Sequence, residues 1–165
     1  TAFMWACRYG NKDIVQLLLS YPIIELSARS NTGMTAFMWA CINGHKDIVQ
    51  LLLSFPNIEL NARSNDGKTA FMLACMDGNK DIVQLMLSFP NIELNARTDD
   101  GMTAFIFACF TGHANVVKML LSDLVTSNKS FFSFRTHSRF VVGSLTVHRT
   151  FINDSLKVHP RFIQG

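Results

Sequence analysis

Between Thr35 and Lys68 the apolar residues fall into two groups with helical spacing, followed by a stretch without it. Phe37, Met38, Ala40 and Cys41 share one face of a short helix, with Thr35 placed to cap its start and Gly44 to end it. Ile48, Val49, Leu52 and Leu53 form a second stripe, which predicts a helix from about Lys46 to Ser54. Pro56 disfavours helical geometry at Phe55 and stops it. From Phe55 to Lys68 the chain reads as extended, and Asn65-Asp66-Gly67 marks a tight turn. The pattern is helix, turn, helix, then a projecting hairpin-like loop.

The same pattern recurs along the chain. Thr-Ala-Phe begins at Thr1, Thr35, Thr69 and Thr103, at a constant interval. Residues 35–68 are identical to 69–102 at 26 of 34 positions, and 1–34 match 35–68 equally well. Copies this alike point to tandem duplication and divide residues 1–122 into units 1–34, 35–68, 69–102 and a partial 103–122. Residues 123–165 follow as a segment without the repeat, where Asp123-Leu124-Val125 stands in place of Phe-Pro-Asn.

On these residues the chain resembles the ankyrin repeat family. The motifs that carry the resemblance are Asn65-Asp66-Gly67-Lys68-Thr69 and its counterparts, Gly44-His45 and Gly112-His113, Asp47-Ile48-Val49, Leu52-Leu53 and Leu60-Asn61-Ala62. Tetratricopeptide units have a similar period, but they are nearly all helical, and a Pro and Asn-Asp-Gly stretch in every unit does not suit them. The resemblance implies a mainly α solenoid of stacked helix-turn-helix units with projecting β-hairpin loops. It also implies a non-catalytic scaffold that binds another protein. Two departures carry physical consequences. Ala36-Phe37-Met38 replaces the family's Pro-Leu-His, so helix entry rests on the Thr cap and on bulky packing. Ser54-Phe55-Pro56 replaces the usual glycine after the second helix and lengthens the family's usual unit by a single residue.

Candidate chemistry changes this picture little. Cys7, Cys41, Cys75 and Cys109 recur one per unit. Stacked units of the family sit about 10 Å apart, beyond the roughly 4.4–6.8 Å Cα separation of a disulfide. Free buried thiols in a reducing compartment are expected, and no Cys-x-x-Cys or His-x-x-x-His spacing suggests zinc. His45 and His113 alternate with Asn11 and Asn79, which predicts a hydrogen-bonding group at the helix start rather than a catalyst. Asp13, Asp47 and Asp81 lie in a first helical turn, where the helix dipole favours negative charge. Trp5 and Trp39 give way to Leu73 and Phe107, so they read as core or groove-edge fillers. No nucleophile triad, phosphate loop or carboxylate pair occurs in the repeats, and neither a catalytic residue nor a metal or cofactor site is expected.

A partner is expected on the concave face, where the copies differ. At the loop tips these positions are Asn31, Thr32 and Met34, then Asn65, Asp66 and Lys68, then Asp99, Asp100 and Met102. At the ends of the first helices they are Arg8 and Tyr9, Ile42 and Asn43, Met76 and Asp77, and Phe110 and Thr111. Arg29, Arg63 and Arg97 form an invariant row near Glu25, Glu59 and Glu93, for which solvated ion pairing is expected. Asn61 and Asn95 match the loop asparagine that asparaginyl hydroxylases modify in the family, and Ser27 breaks the series. A turn-stabilising amide is the plainer reading of both.

Of the 165 residues 48% are hydrophobic and 16% charged, which excludes disorder over most of the length. No apolar run is long enough to span a membrane and no signal peptide is visible, so a cytoplasmic or nuclear setting is expected. The formal charge of +3 divides unevenly: residues 1–122 hold 9 Lys+Arg and 10 Asp+Glu, and residues 123–165 hold 6 and 2. The final segment interleaves those cations with Phe131, Phe132, Phe134, Phe140, Phe151 and Phe162. Single-stranded nucleic acid or an anionic membrane is one expectation for it. A cover over the last helices is another, a poorly ordered tail a third, and non-native sequence, such as a translated intron or a frameshifted reading, a fourth. The alternation over Phe140–Val147 hints at a strand. The chain reads as a piece of something longer, monomeric as it stands, with further repeats or a catalytic domain elsewhere as the remaining reading.

Overall fold

The computed structural model describes residues 1–127, with side chains to residue 123. Eight helices run in order: α1 Ala2–Arg8, α2 Lys12–Leu19, α3 Ala36–Ile42, α4 Lys46–Leu53, α5 Ala70–Met76, α6 Lys80–Leu87, α7 Ala104–Phe110 and α8 Ala114–Ser127. Each odd helix packs on the next odd helix and on its own even partner, and the even helices pack on one another in turn. The result is a two-layer helical repeat stack, as the spacing predicts.

Local chemistry sets the helix ends. The Thr35 hydroxyl accepts the Met38 N–H at 3.2 Å, and Thr69 and Thr103 cap Met72 and Ile106 in the same way at 3.3 Å. Met38 answers by placing its sulfur 3.5 Å from the Thr35 N–H, a weak acceptor where a capping box ordinarily has Glu or Gln. Helix entry therefore rests on the Thr cap, as expected from the missing histidine, with the thioether as a second contact. Gly44 ends α3 at φ +76°, a left-handed conformation open to glycine at little cost. α2, α4 and α6 all end three residues before a proline, whereas Asp123-Leu124 leaves the amides of α8 free to continue, and α8 runs on to Ser127. The repeat boundary expected after Ser122 thus falls inside a helix.

The core lies between the layers. Phe37, Phe71, Met38, Met72, Ile48, Leu52, Ile82 and Met86 are fully buried, and each such side chain contributes on the order of 1.5–3 kcal/mol. Ala40, Cys41, Ala74 and Cys75 are also fully buried, their small side chains allowing successive odd helices to approach. The end units have a described neighbour on one side only. Ile14 is therefore 48% exposed where its counterpart Ile48 is 1% exposed.

Among the described residues no strand is assigned, and the projecting loops are closed by tight turns. Each tip is closed by one motif: the Ser64 N–H donates to the Lys68 carbonyl and the Gly67 N–H to the Ser64 carbonyl, both at 2.9 Å, and Ser30–Met34 and Thr98–Met102 repeat it. Consecutive tips also touch. The Asn65 N–H donates to the Thr32 carbonyl at 3.0 Å, and its amide donates to the Asn31 carbonyl at 2.9 Å.

Candidate functional site

The surface that presents the tips and first-helix ends is held by bonds that pass from one unit to the next. His45 begins α4 but makes no side-chain cap there. Its Nε2–H donates instead to the Arg8 carbonyl, 2.9 Å away at the end of α1. His113 reaches the Met76 carbonyl at 3.0 Å, and Asn79 donates to the Cys41 and Ile42 carbonyls at 2.9 and 2.8 Å. These side chains satisfy the open carbonyls of the preceding unit's first helix, so the expectation of a bond at their own helix start is corrected. The glycine that follows the preceding unit's first helix has a second role. A Cβ on Gly10 or Gly78 would sit 2.6 or 2.4 Å from the imidazole of His45 or His113, and only a residue without one leaves the ring its seat.

The arginine row is corrected in the same sense. The Arg29 guanidinium donates to the Arg63 carbonyl at 2.6 Å and pairs with Glu59 at 3.2 Å, one unit ahead, rather than with Glu25. Arg63 repeats the pattern on the Arg97 carbonyl and Asp99. Lys12–Asp47 at 3.1 Å and Lys46–Asp81 at 4.0 Å link the second helices likewise. Exposed pairs of this kind each contribute about 0–1 kcal/mol, and their repetition sets register more than depth of stability.

The candidate contact residues do not share one environment. Asn31, Thr32, Asn65, Asp66, Asp99 and Asp100 are exposed at the tips, and Tyr9, Asn43, Asp77, Phe110 and Thr111 are exposed at the helix ends, with Phe110 82% open. Arg8, Ile42, Lys68, Met76 and Met102 are half-buried. Met34 is only 8% exposed and packs into the core, because its backbone closes the tip and turns the side chain inward. Asn43 and Thr111 spend their side chains on the carbonyls of Trp39 and Phe107, four residues back in their own helices. Lys68 pairs with Asp66 and lies 5.8 Å from the Phe107 ring centre. The Lys68 hydrogen bond, then that of Ser64, holds the Asp66 carboxyl below the usual carboxylate range.

An aromatic cluster stands out between the first two units. The Trp5 and Tyr9 rings stack with centroids 5.6 Å apart, and the Arg8 guanidinium lies 5.1, 5.9 and 4.4 Å from the Trp5, Tyr9 and Trp39 rings. Trp5, Arg8 and Trp39 open onto a cleft of about 320 Å³, with Met4, Arg29 and Asn31 among its walls. Both tryptophans are thus groove-edge residues, whereas Leu73 and Phe107 at the same position are buried.

Asn61 is engaged at both ends of its amide: it donates to the Asn91 carbonyl at 2.7 Å and accepts the Glu93 N–H at 2.9 Å, tying its loop to the next. Asn95 is exposed in the following loop. Cys7, Cys41 and Cys75 are buried free thiols and Cys109 is half-buried. Burial pushes the Cys7 thiol up to about 12 and raises the other three. Thiols so held are protonated and unreactive. Among the described residues no cluster of three or more His, Cys, Asp or Glu could hold a metal, and no helix is long and apolar enough to cross a membrane. The basic, phenylalanine-rich segment and the strand expected over Phe140–Val147 lie outside the described residues.

A family model for ankyrin repeats, in three copies, matches residues 1–64 and 54–130. No curated protein matches the chain.

Proposed function

Because the chain belongs to the ankyrin repeat family, whose arrays are in general non-catalytic protein-interaction modules, we propose that it is a scaffold binding a protein partner through its tips and first-helix ends. One observation carries the reading. The residues that hold the units in register recur from copy to copy or exchange one hydrogen-bonding side chain for another, while the exposed and half-buried positions beside them change freely in size and charge. The tips pass from Asn31 and Thr32 to Asn65 and Asp66 to Asp99 and Asp100, and the helix ends from Arg8 to Ile42 to Met76 to Phe110. A surface that varies on a constant frame supports the fit of a partner whose own surface is not periodic.

The experiment is charge reversal of Asp66, Asp99 and Asp100 together with Tyr9→Ala, compared with the parent chain in quantitative pull-downs. All four side chains are exposed, and a urea transition close to the parent's establishes that the variant folds before it is tested. Recovery of bound proteins is expected to fall at least tenfold, and undiminished recovery of every one of them would show that the binding surface lies elsewhere.

A further inference from the structure

Resting on that reading, we propose that the cleft between the first two units is the specificity pocket of the surface, taking a short extended peptide by an acidic side chain with an apolar one beside it. At about 320 Å³ the cleft lies at the lower end of the roughly 300–1,000 Å³ of small-ligand sites. It has room for one or two side chains and not for a folded element. Met4, Trp5 and Trp39 line it together with Arg8 and Arg29, and no carboxylate does.

The two cations are not equivalent. Arg29 is already committed to Glu59 and the Arg63 carbonyl. Arg8 forms no ion pair with any described residue. Its guanidinium lies against three rings. Stacking of that kind occupies the faces of the guanidinium plane and leaves N–H groups at its edge, the geometry that grips a carboxylate by two parallel bonds. The rings offer apolar area at fixed orientation next to that charge. Aromatic residues and arginine together in a partly desolvated recess are the residue types in which binding energy concentrates.

The pocket exists once in the described stack. Position 8 of the unit is arginine only here, becoming Ile42, Met76 and Phe110, and the pair Trp5 and Trp39 is followed by Leu73 and Phe107. Farther along, the changing charges are acidic at Asp66, Asp77, Asp99 and Asp100, and the one changing cation, Lys68, is paired with Asp66. An acidic group on a peptide is therefore attracted at one end of the groove and repelled toward the other, so the cleft also fixes the direction in which the peptide lies.

The test is selection of random twelve-residue peptides displayed against the whole chain, followed by binding of the selected peptides made synthetically. Trp5 and Trp39 are the only tryptophans in the sequence, so intrinsic fluorescence reports occupancy of the cleft directly. Selected peptides are expected to carry Asp or Glu within two residues of an aromatic, leucine or proline side chain and to shift the emission. R8Q is expected to weaken them at least tenfold, R8K to recover only part of the loss, and D99K with D100K to leave them within twofold. Failure to retain any peptide, selection without acidic enrichment, or binding by R8Q within twofold of the parent overturns the proposal. If R8Q and W5A leave binding intact while D99K with D100K abolishes it, the cleft is wrong and the concave surface stands. Peptides indifferent to both sets would overturn the surface as well.

Discussion

Gly78 and Gly112 end α5 and α7 at nearly the same angle, φ +74° and +78°, yet alanine should affect them very differently. At both sites alanine enters the left-handed region at a cost of about 1–2 kcal/mol, partly offset by about 0.4–1 kcal/mol from the less flexible unfolded chain. Gly112 has nothing within 4 Å of the added Cβ, so Gly112→Ala should cost about 1 kcal/mol and no more. At Gly78 the Cβ meets the His113 ring at 2.4 Å and must push it from its seat. The bond from His113 Nε2 to the Met76 carbonyl is then lost, which adds about 1–3 kcal/mol for a half-buried donor and acceptor left unmatched. Urea unfolding followed by circular dichroism reads both variants, and Gly78→Ala should fall below Gly112→Ala by that increment. Repeating Gly78→Ala in a His113→Ala background closes the cycle: with no ring to displace, the cost should shrink to that of Gly112→Ala. Equal losses in the two single variants, or an unchanged cost in the double, would refute the claim that the glycine seats the next unit's histidine.

The same latch predicts that Asn79→Ala, which removes two bonds to the end of α3, destabilises the array by about 1–3 kcal/mol. Asn11, its counterpart in the first unit, is exposed, and Asn11→Ala should stay within about 0.5 kcal/mol, as read by the same urea transitions. Free thiols titrate near 9.0 in the unfolded chain and well above it in the fold, so the protons are lost first from the unfolded state. The thiol contribution is whole below pH 9 and declines as pH rises from there toward about 12, and a thermal-melt series from pH 7 to 10 should show the decline beginning near 9 and vanishing in the Cys→Ala variants. Asn61→Ala frees the Asn91 carbonyl and the Glu93 N–H together and should lower stability by about 1 kcal/mol, as the same urea transitions would show.

What could be read from the sequence was what local chemistry decides. The Thr cap, the glycine stop and the helical stripe act over a turn or two of chain, and they place α3 at Ala36–Ile42 and α4 at Lys46–Leu53 as expected. The bonds that hold the candidate surface join groups about a whole repeat apart, and proximity along the chain misdirects there. Arg29 lies one helical turn's worth of sequence from Glu25 but pairs with Glu59. His45 lies beside the start of α4 but serves the end of α1. Met34 varies among the tips, yet the turn that ends on it directs it into the core. A signal for the histidine was present all the same. Only side chains that donate an N–H alternate at that position, each directly after a glycine, and glycine permits close approach by a neighbour as well as a left-handed turn.

That arrangement also explains how units so nearly identical can carry a surface that is not. Each side chain of the latch bonds to backbone carbonyls: His45 to that of Arg8, Asn79 to those of Cys41 and Ile42, His113 to that of Met76. A carbonyl is present whatever side chain its residue bears. Arg8, Ile42 and Met76 can therefore differ in charge and size without loosening the joint between units, and the arginine row uses the same device on the carbonyls of Arg63 and Arg97. Reading the backbone frees the helix ends and tips to change, and it is at one such freed position that Arg8 could arise against Trp5 and Trp39 while its carbonyl kept its bond to His45. In that one residue the side chain lines the cleft and the backbone holds the next unit.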